Sequence, residues 1–256
     1  MLNAVKSPTI PDFARIEPPE NLHGRVTRTL ALRVIEAEQT STHLVFPNEA
    51  GLCRQLGVSR SILREAVKVL ADKGMISVRP RSGTCARPRS EWNLLDPDIL
   101  GWQAAFKPDA RLLRDLCEVR LAIEPAASAF AAVRGTSDEI AMIGSCLQQL
   151  ESRGAAATES VIALNLQFQA AIVAASHNSL FCQLSAVIHE PFRAALSYTT
   201  RFSASVMLQV EGYREVYDAI RAHDPLRAKA RSENVVGLEM LAVEHVIAAS
   251  AQESRS

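Results

Sequence analysis

Long apolar runs are missing from this chain. Stretches of small and apolar residues such as AAIVAA at 170–175 fall far short of the roughly 20 residues needed to cross a bilayer, so no membrane helix is expected. The N-terminal MLNAVKSPTIPDF lacks a basic start leading into an apolar core, so no secretory signal is visible and the cytoplasm is the expected compartment. Five cysteines, Cys53, Cys85, Cys117, Cys146 and Cys182, are odd in number, widely spaced and without CxxC or Cys/His spacing. That pattern excludes a disulfide framework and leaves reduced packing residues. There is no phosphate-cradling glycine loop, no nucleophile with an ordered base and no metal set, which argues against an enzyme. Net charge is absent too, with 28 Lys and Arg against 28 Asp and Glu.

That zero conceals a partition. Residues 1–90 carry fourteen basic and eight acidic side chains, a net of +6, so residues 91–256 carry −6. Opposite signs on the two halves suggest two modules with different partners, and 256 residues suit two modest domains. Residues 1–20 hold Pro8, Pro11, Pro18 and Pro19 without helical period and read as an arm. A first helix is expected over about 23–38, where Val26, Leu30, Leu32, Val34 and Ile35 form the stripe. FPNEAGLCRQLG and VSRSILREAVKVLADKG follow as two short helices about a turn at Gly57. Asn48 and Ser59 are their N-caps, and Ile62, Ala66, Val69 and Leu70 are the expected buried stripe of the second. Helix, tight turn, helix is a DNA-binding arrangement. ISVRP and TCARP can pair as short strands about Arg81-Ser82-Gly83, which completes a winged helix-turn-helix domain over 21–90.

Between Arg54 and Arg89 nine basic residues meet two acidic ones, a local net of +7. Arg60 and Arg64 lie four apart, hence on one face of the second helix. At the start of a helix seated in the major groove, arginines can pair bidentately with guanine. Ser59, Ser61, Asn48 and Arg54 are candidate partners for DNA near the helix starts. Arg79, Arg81, Ser82, Gly83 and Thr84 form a wing tip able to track the backbone or enter the minor groove. Arg89 is expected to act through phosphate charge alone.

Residues 91–107 read as a linker, EWNLLDPDILGWQ holding both tryptophans, expected to dock the two modules through buried aromatic area. From 108 to 250 helical patterns dominate, over about 109–134, 136–153, 157–176, 178–202, 206–223 and 225–249. Thr136, Asn178 and Asp224 are the expected caps. Residues 251–256 form a tail. His177 sits at a helix junction and is expected to cap or pack, while His189 and His223 have no carboxylate or His one turn on.

LGVSRSILREAVKVLADKGMISVRPRSGTCA resembles the winged helix of the GntR family of bacterial transcription regulators. The likeness covers about 23–88. One departure is Ala50, where the family usually has an arginine, and it puts one DNA contact in doubt. EVRLAIEPAASAFAA (118–132), LNLQFQAAIVAASHNSLF (164–181) and EGYREVYDAIRAHDPLRAKA (211–230) resemble the FCD-type effector domain of the FadR-like branch. The resemblance implies a mainly α protein, with a winged helix-turn-helix of three helices and a small β wing followed by an all-helical bundle of six or seven helices. It implies a dimeric regulator bound to an inverted-repeat operator.

Many such domains hold a divalent metal with an Asp and three His. By the resemblance those positions fall on Asn165, Gln169, Tyr213 and either Val235 or Asn234. Amides and a phenol are poor ligands for transition metals, so no metal cofactor is expected. Asn165, Gln169 and Tyr213 can instead hydrogen-bond a polyhydroxylated molecule. Arg120 is the candidate for a ligand carboxylate, with a structural pair to Glu124 as the competing reading, and Arg193, Tyr198 and Arg201 stand in a second ring. The linker and EVRLAIEPA resemble sugar-acid-responsive members, which implies a repressor answering to an aldonate or related acid. The alternative kept open is a metal-dependent sensor of another small organic acid.

Overall fold

The computed structural model of the chain describes residues 22–79, 83–106, 110–152, 159–197 and 210–253. Helix α1 (Leu22–Gln39) lies against α3 (Arg60–Asp72), which meets α2 (Glu49–Leu56) across the expected turn. The local causes are visible. Asn48 Oδ1 accepts the Gly51 N–H at 2.9 Å and Ser59 Oγ accepts that of Ile62 at 3.4 Å, satisfying orphan donors at both helix starts. Gly57 closes α2 at φ 66°, a left-handed conformation that costs glycine nothing.

The buried stripe of α3 is Leu63, Ala66 and Leu70. Ala66 and Leu70 are buried as expected, and Leu63 joins them while Ile62 and Val69 are only half-buried, because α1 packs on the Leu63 side. The helix ends at Asp72 with Lys73 as its cap, and Gly74 follows at φ 79°. A Cβ there would strike the Glu91 carbonyl oxygen, so only glycine fits. Strands β1 (Ile76–Arg79) and β2 (Gly83–Ala86) pair antiparallel from Ile76 with Ala86 to Arg79 with Gly83. Phe46 N–H and Leu44 C=O bond to Thr84 and Ala86 along the other edge of β2.

The stretch expected as linker contains a helix, α4 (Pro97–Phe106), and its faces serve two cores. Trp92 and Ile99 pack with Val34, Leu63, Leu70 and Met75, whereas Leu100 and Ala104 join Leu112, Leu116, Phe168 and Phe192. Burial of such side chains supplies about 1.5–3 kcal/mol each, so α4 is glued on both sides. Helices α5 (Ala110–Arg134), α6 (Ser137–Ser152), α7 (Glu159–Ala175), α8 (Ser179–Ser197), α9 (Val210–Arg221) and α10 (Pro225–Glu253) follow. Their boundaries lie close to those read from periodicity, and α10 runs into the stretch expected as tail. The caps are at the expected places: Thr136 with Glu139, Asn178 with the Leu180 and Phe181 amides, and Asp224 with that of Arg227. Helix α5 is the axis of this half, packed by α7, α8, α9 and α10.

Candidate functional site

Two places gather the candidate side chains. On α3, Arg60 and Arg64 stand exposed on the first turns, opposite the stripe that packs on α1. Glu49 at the start of α2 reaches both, 2.9 Å from Arg64 Nε and 3.8 Å from Arg60 Nε. It accepts a hydrogen bond from Arg64 and sets a negative charge beside both arginines. Ser59 Oγ is used as a cap and meets Ser61 Oγ at 3.0 Å. Arg54 is exposed on α2, Arg79 and Gly83 are exposed at the open end of the wing, and Thr84 is half-buried. Arg81 and Ser82 lie outside the described residues.

Not all of the local positive charge is available to a partner. Lys73 is mostly buried, 2.6 Å from Asp96 and 2.9 Å from Asp98. Burial opposes its charge, but the two carboxylates hold its pKa above the usual lysine value. Arg87 pairs with Glu91 at 3.2 Å. Arg89, expected to face phosphate, points the other way, its Nη2 2.8 Å from Asp115 on α5. These three basic groups are paired within the protein, and among the described residues of this stretch Arg54, Arg60, Arg64, Lys68 and Arg79 are the exposed basic groups.

The second place is the interior of the helical half. Arg120 is completely buried, and its Nε and Nη2 grip Glu124 at 2.7 and 3.1 Å. Its Nη1 lies 2.6 Å from Glu239 Oε2 without the alignment of a hydrogen bond. The Phe192 ring lies 4.4 Å beneath the guanidinium. Glu239 Oε1 accepts from Tyr213 Oη and, at 3.2 Å, from Asn165 Nδ2. His189 Nε2 is 3.6 Å from Glu124 and shares a contact with Ser185. Burial opposes ionisation throughout, yet Arg120 and then His189 hold Glu124 below the usual carboxylate range, while burial and Glu239 raise the Tyr213 phenol well above its own. Cys117, one turn before Arg120, is pushed up to about 12 by burial and stays a neutral thiol.

Arg120, Asn165 and Tyr213 are therefore brought together, with Gln169 also buried on α7. Arg193 is not with them. It pairs with Glu190 at 3.0 Å and lines a groove of about 560 Å³ with Ser160 and Gln167. Tyr198 and Arg201 lie outside the described residues. Val235, not Asn234, is the buried residue on α10, so the four positions hold two amides, a phenol and an alkyl group beside a guanidinium. That donor set does not fit a divalent metal, and among the described residues no three His, Cys, Asp or Glu converge as ligands.

Comparison with known proteins places this geometry. Residues 30–85 match the family model of bacterial regulatory proteins, gntR family, and residues 115–237 that of the FCD domain. The Escherichia coli (strain K12) galactonate operon transcriptional repressor is 31% identical over 80% of this chain and 89% of its own. This chain belongs to the gntR family. The regulator is also similar to the uncharacterized HTH-type transcriptional regulator YieP of the same organism, at 28% over 80% and 88% of the two chains. A solved structure described as Lar, which controls expression of the Listeria monocytogenes agr system, superposes with a TM-score of 0.58 at 17% identity, covering 90% and 99%. That likeness concerns the fold alone. The gntR-family chain is a transcriptional regulator with an FCD domain, not an enzyme, and among the described residues no helix is long and apolar enough to cross a membrane.

Sequence reasoning missed two residues of the regulator that matter. Glu49 had a signal, since it begins α2 and the recognition helix must pass close by. Glu239 had one as well: in VVGLEMLAV (235–243) it is the only charged residue, and a lone charge in an apolar stretch is buried only when paired.

Proposed function

We propose that this gntR-family regulator represses an operon for the breakdown of a sugar acid, binding an inverted-repeat operator as a homodimer and releasing it when the acid enters the helical half. Base reading falls to Arg60 and Arg64. Ser59, Ser61, Asn48, Arg54, Arg79, Arg81, Ser82, Gly83 and Thr84 hold phosphate or the minor groove. Arg120, Asn165, Gln169 and Tyr213 receive the acid, and Arg193, Tyr198 and Arg201 stand further out.

The observation that carries the reading is the buried cluster itself: an arginine, an amide and a phenol converge on a carboxylate in an apolar interior. Such donors suit an organic anion with hydroxyl groups rather than a metal. The similarity to a galactonate operon repressor points to an aldonate. A repressor of a catabolic operon is useful only if its substrate releases it, which sets the direction.

The test is a gel shift at physiological salt with the promoter upstream of its own gene and with random DNA of equal length, each titrated with galactonate and related aldonates. Preferential binding to the promoter, lost on adding one of the acids, is expected. Equal binding to both DNAs would remove the operator reading, and promoter binding indifferent to every aldonate would remove the sugar-acid reading.

A further inference from the structure

Glu239 is the group in the buried cluster that neither composition nor a motif accounts for. Three donors on three helices, Arg120 on α5, Asn165 on α7 and Tyr213 on α9, converge on one carboxylate carried by α10. Arg120 has two carboxylates to satisfy with one charge. Glu124 takes the two-pronged edge, with both bonds well formed. Glu239 gets the remainder, a 2.6 Å approach of Nη1 to Oε2 that is not aligned as a hydrogen bond, so that both atoms remain without a hydrogen-bond partner. Arg120 thus holds Glu239 less well than it holds Glu124.

A second unmade bond lies beside it. Asn165 Oδ1 is buried and has no hydrogen-bond partner, although Nδ2 of the same amide donates to Glu239. The assignment of the two amide atoms follows from chemistry, because only the nitrogen can donate to a carboxylate. The amide thus offers an acceptor next to the donor that holds the carboxylate. Glu239 has no hydroxyl to place on that acceptor, and a buried acceptor left unmade is unfavourable.

We propose that Arg120, Tyr213 and Asn165 form a receptor for the head group of a 2-hydroxy carboxylic acid, and that the Glu239 carboxylate is its resident occupant. The proposal rests on the effector reading above and names the part of the ligand that this cluster recognises. An incoming carboxylate takes the place of Glu239 on Nη1, Oη and Nδ2, and its adjacent hydroxyl donates to Asn165 Oδ1. Exchanging one carboxylate for another leaves the charge balance at the receptor unchanged, and the displaced Glu239 carboxylate is carried out toward solvent with α10, so that no unpaired anion is left in the apolar interior. The Phe192 ring under the guanidinium and Phe168 against Tyr213 supply the apolar walls. Displacing Glu239 moves α10, which packs along α5, and α5 carries the Asp115 that holds Arg89 of the DNA-binding half.

Emptying the receptor tests this. Glu239→Ala and the wild type are melted in parallel with glycolate, the smallest 2-hydroxy carboxylate, and with acetate. Glycolate is expected to raise the variant's Tm by on the order of 5–10 °C at a hundred times its Kd, acetate less, and the wild type less than the variant with either. A variant with native far-UV circular dichroism that responds no more than wild type overturns the resident-occupant assignment, and acetate acting as well as glycolate overturns the hydroxyl assignment. If Glu239→Ala does not fold, Glu239→Gln keeps the volume while removing the competing charge. It should then be stabilised by galactonate more than wild type, and an equal or smaller shift overturns the proposal. Rescue by glycolate with an operator complex indifferent to aldonates would sink the sugar-acid reading alone. Operator release without rescue, and without the Glu239→Gln gain, would sink this proposal alone.

Discussion

Arg89 Nη2 lies 2.8 Å from the Asp115 carboxylate, so the basic residue that closes the wing is tied to α5 and not offered to DNA. The Arg89 side chain is mostly buried while that of Asp115 is half-exposed, and Gln103 of α4 takes Nε at 3.4 Å. With Arg111 reaching Glu38 at 3.3 Å, the pair joins the two halves through side chains rather than through the chain alone.

Arg89→Ala and Asp115→Ala should therefore each destabilise the folded protein by about 0.5–1 kcal/mol, the range for partly exposed pairs. The double variant should lose little more than the single ones. Urea denaturation reads the energies. Trp92 and Trp102, the only tryptophans, both sit at this junction and give a native fluorescence signal of its loosening. The salt slope of DNA binding should change little in Arg89→Ala, whereas a drop of about one unit would mean that Arg89 meets phosphate after all.

Glu49 stands between the two arginines proposed to read bases. Replacing it with Gln removes a negative charge from the DNA-facing surface and frees Arg60 and Arg64 from their 3.8 and 2.9 Å contacts. Affinity for random DNA should rise, and discrimination between operator and random DNA should fall. Arg60→Ala should instead lose discrimination by about 10–100-fold, the range for a bidentate arginine–guanine contact. Competition gel shifts separate the two effects, and a Glu49→Gln protein with undiminished discrimination would show that the orientation of the arginines does not depend on Glu49.

Removing Arg120 leaves Glu124 and Glu239 buried without a counter-charge. Arg120→Met should cost about 3–5 kcal/mol of stability. Adding Glu124→Gln and Glu239→Gln to it should return a large part of that loss, because the energy resides in uncompensated charge rather than in the arginine's volume. Urea unfolding of the single and triple variants decides, and a triple variant no more stable than Arg120→Met would locate the cost in packing against Phe192 instead.

Acid should remove a stabilising contact at the start of α6. The Thr136 backbone N–H, then His177 and the Thr136 hydroxyl, hold the Glu139 carboxyl down from 4.5 to about 2. A carboxylate with a depressed native pKa contributes stability fully present above its unfolded value and lost as it is protonated. Its contribution should therefore be complete above about pH 5 and fade between 4.5 and 2. Wild type and Glu139→Gln should converge in stability as pH falls through that window. Parallel pH dependences of the two would show that the capping contacts carry no linkage.

Much of the fold was legible because its causes are local. A cap at Ser59, a left-handed glycine at Gly57 and a 3.6-residue period over 110–134 act within a turn or two of chain. The α3 stripe is legible at Ala66 and Leu70, whereas Ile62 and Leu63 can both face inward until α1 is docked. Helix α4 docks the two halves as the tryptophan-bearing stretch suggests, but shows no helical stripe in sequence because its apolar residues face two different cores.

Sequence alone determined the winged helix followed by a helical half, the placement of Arg60 and Arg64 on one helix face, and the amide and phenol chemistry at Asn165, Gln169 and Tyr213. Those depend on residue identity and on spacing along one helix. Only the tertiary structure decided which charges remain free. Arg89 met Asp115, Arg120 met both Glu124 and Glu239, and Arg193 was carried to a separate groove. The physical reason is that a buried charge must find its counter-charge wherever the packed helices bring one, and that distance in space has no counterpart in distance along the chain.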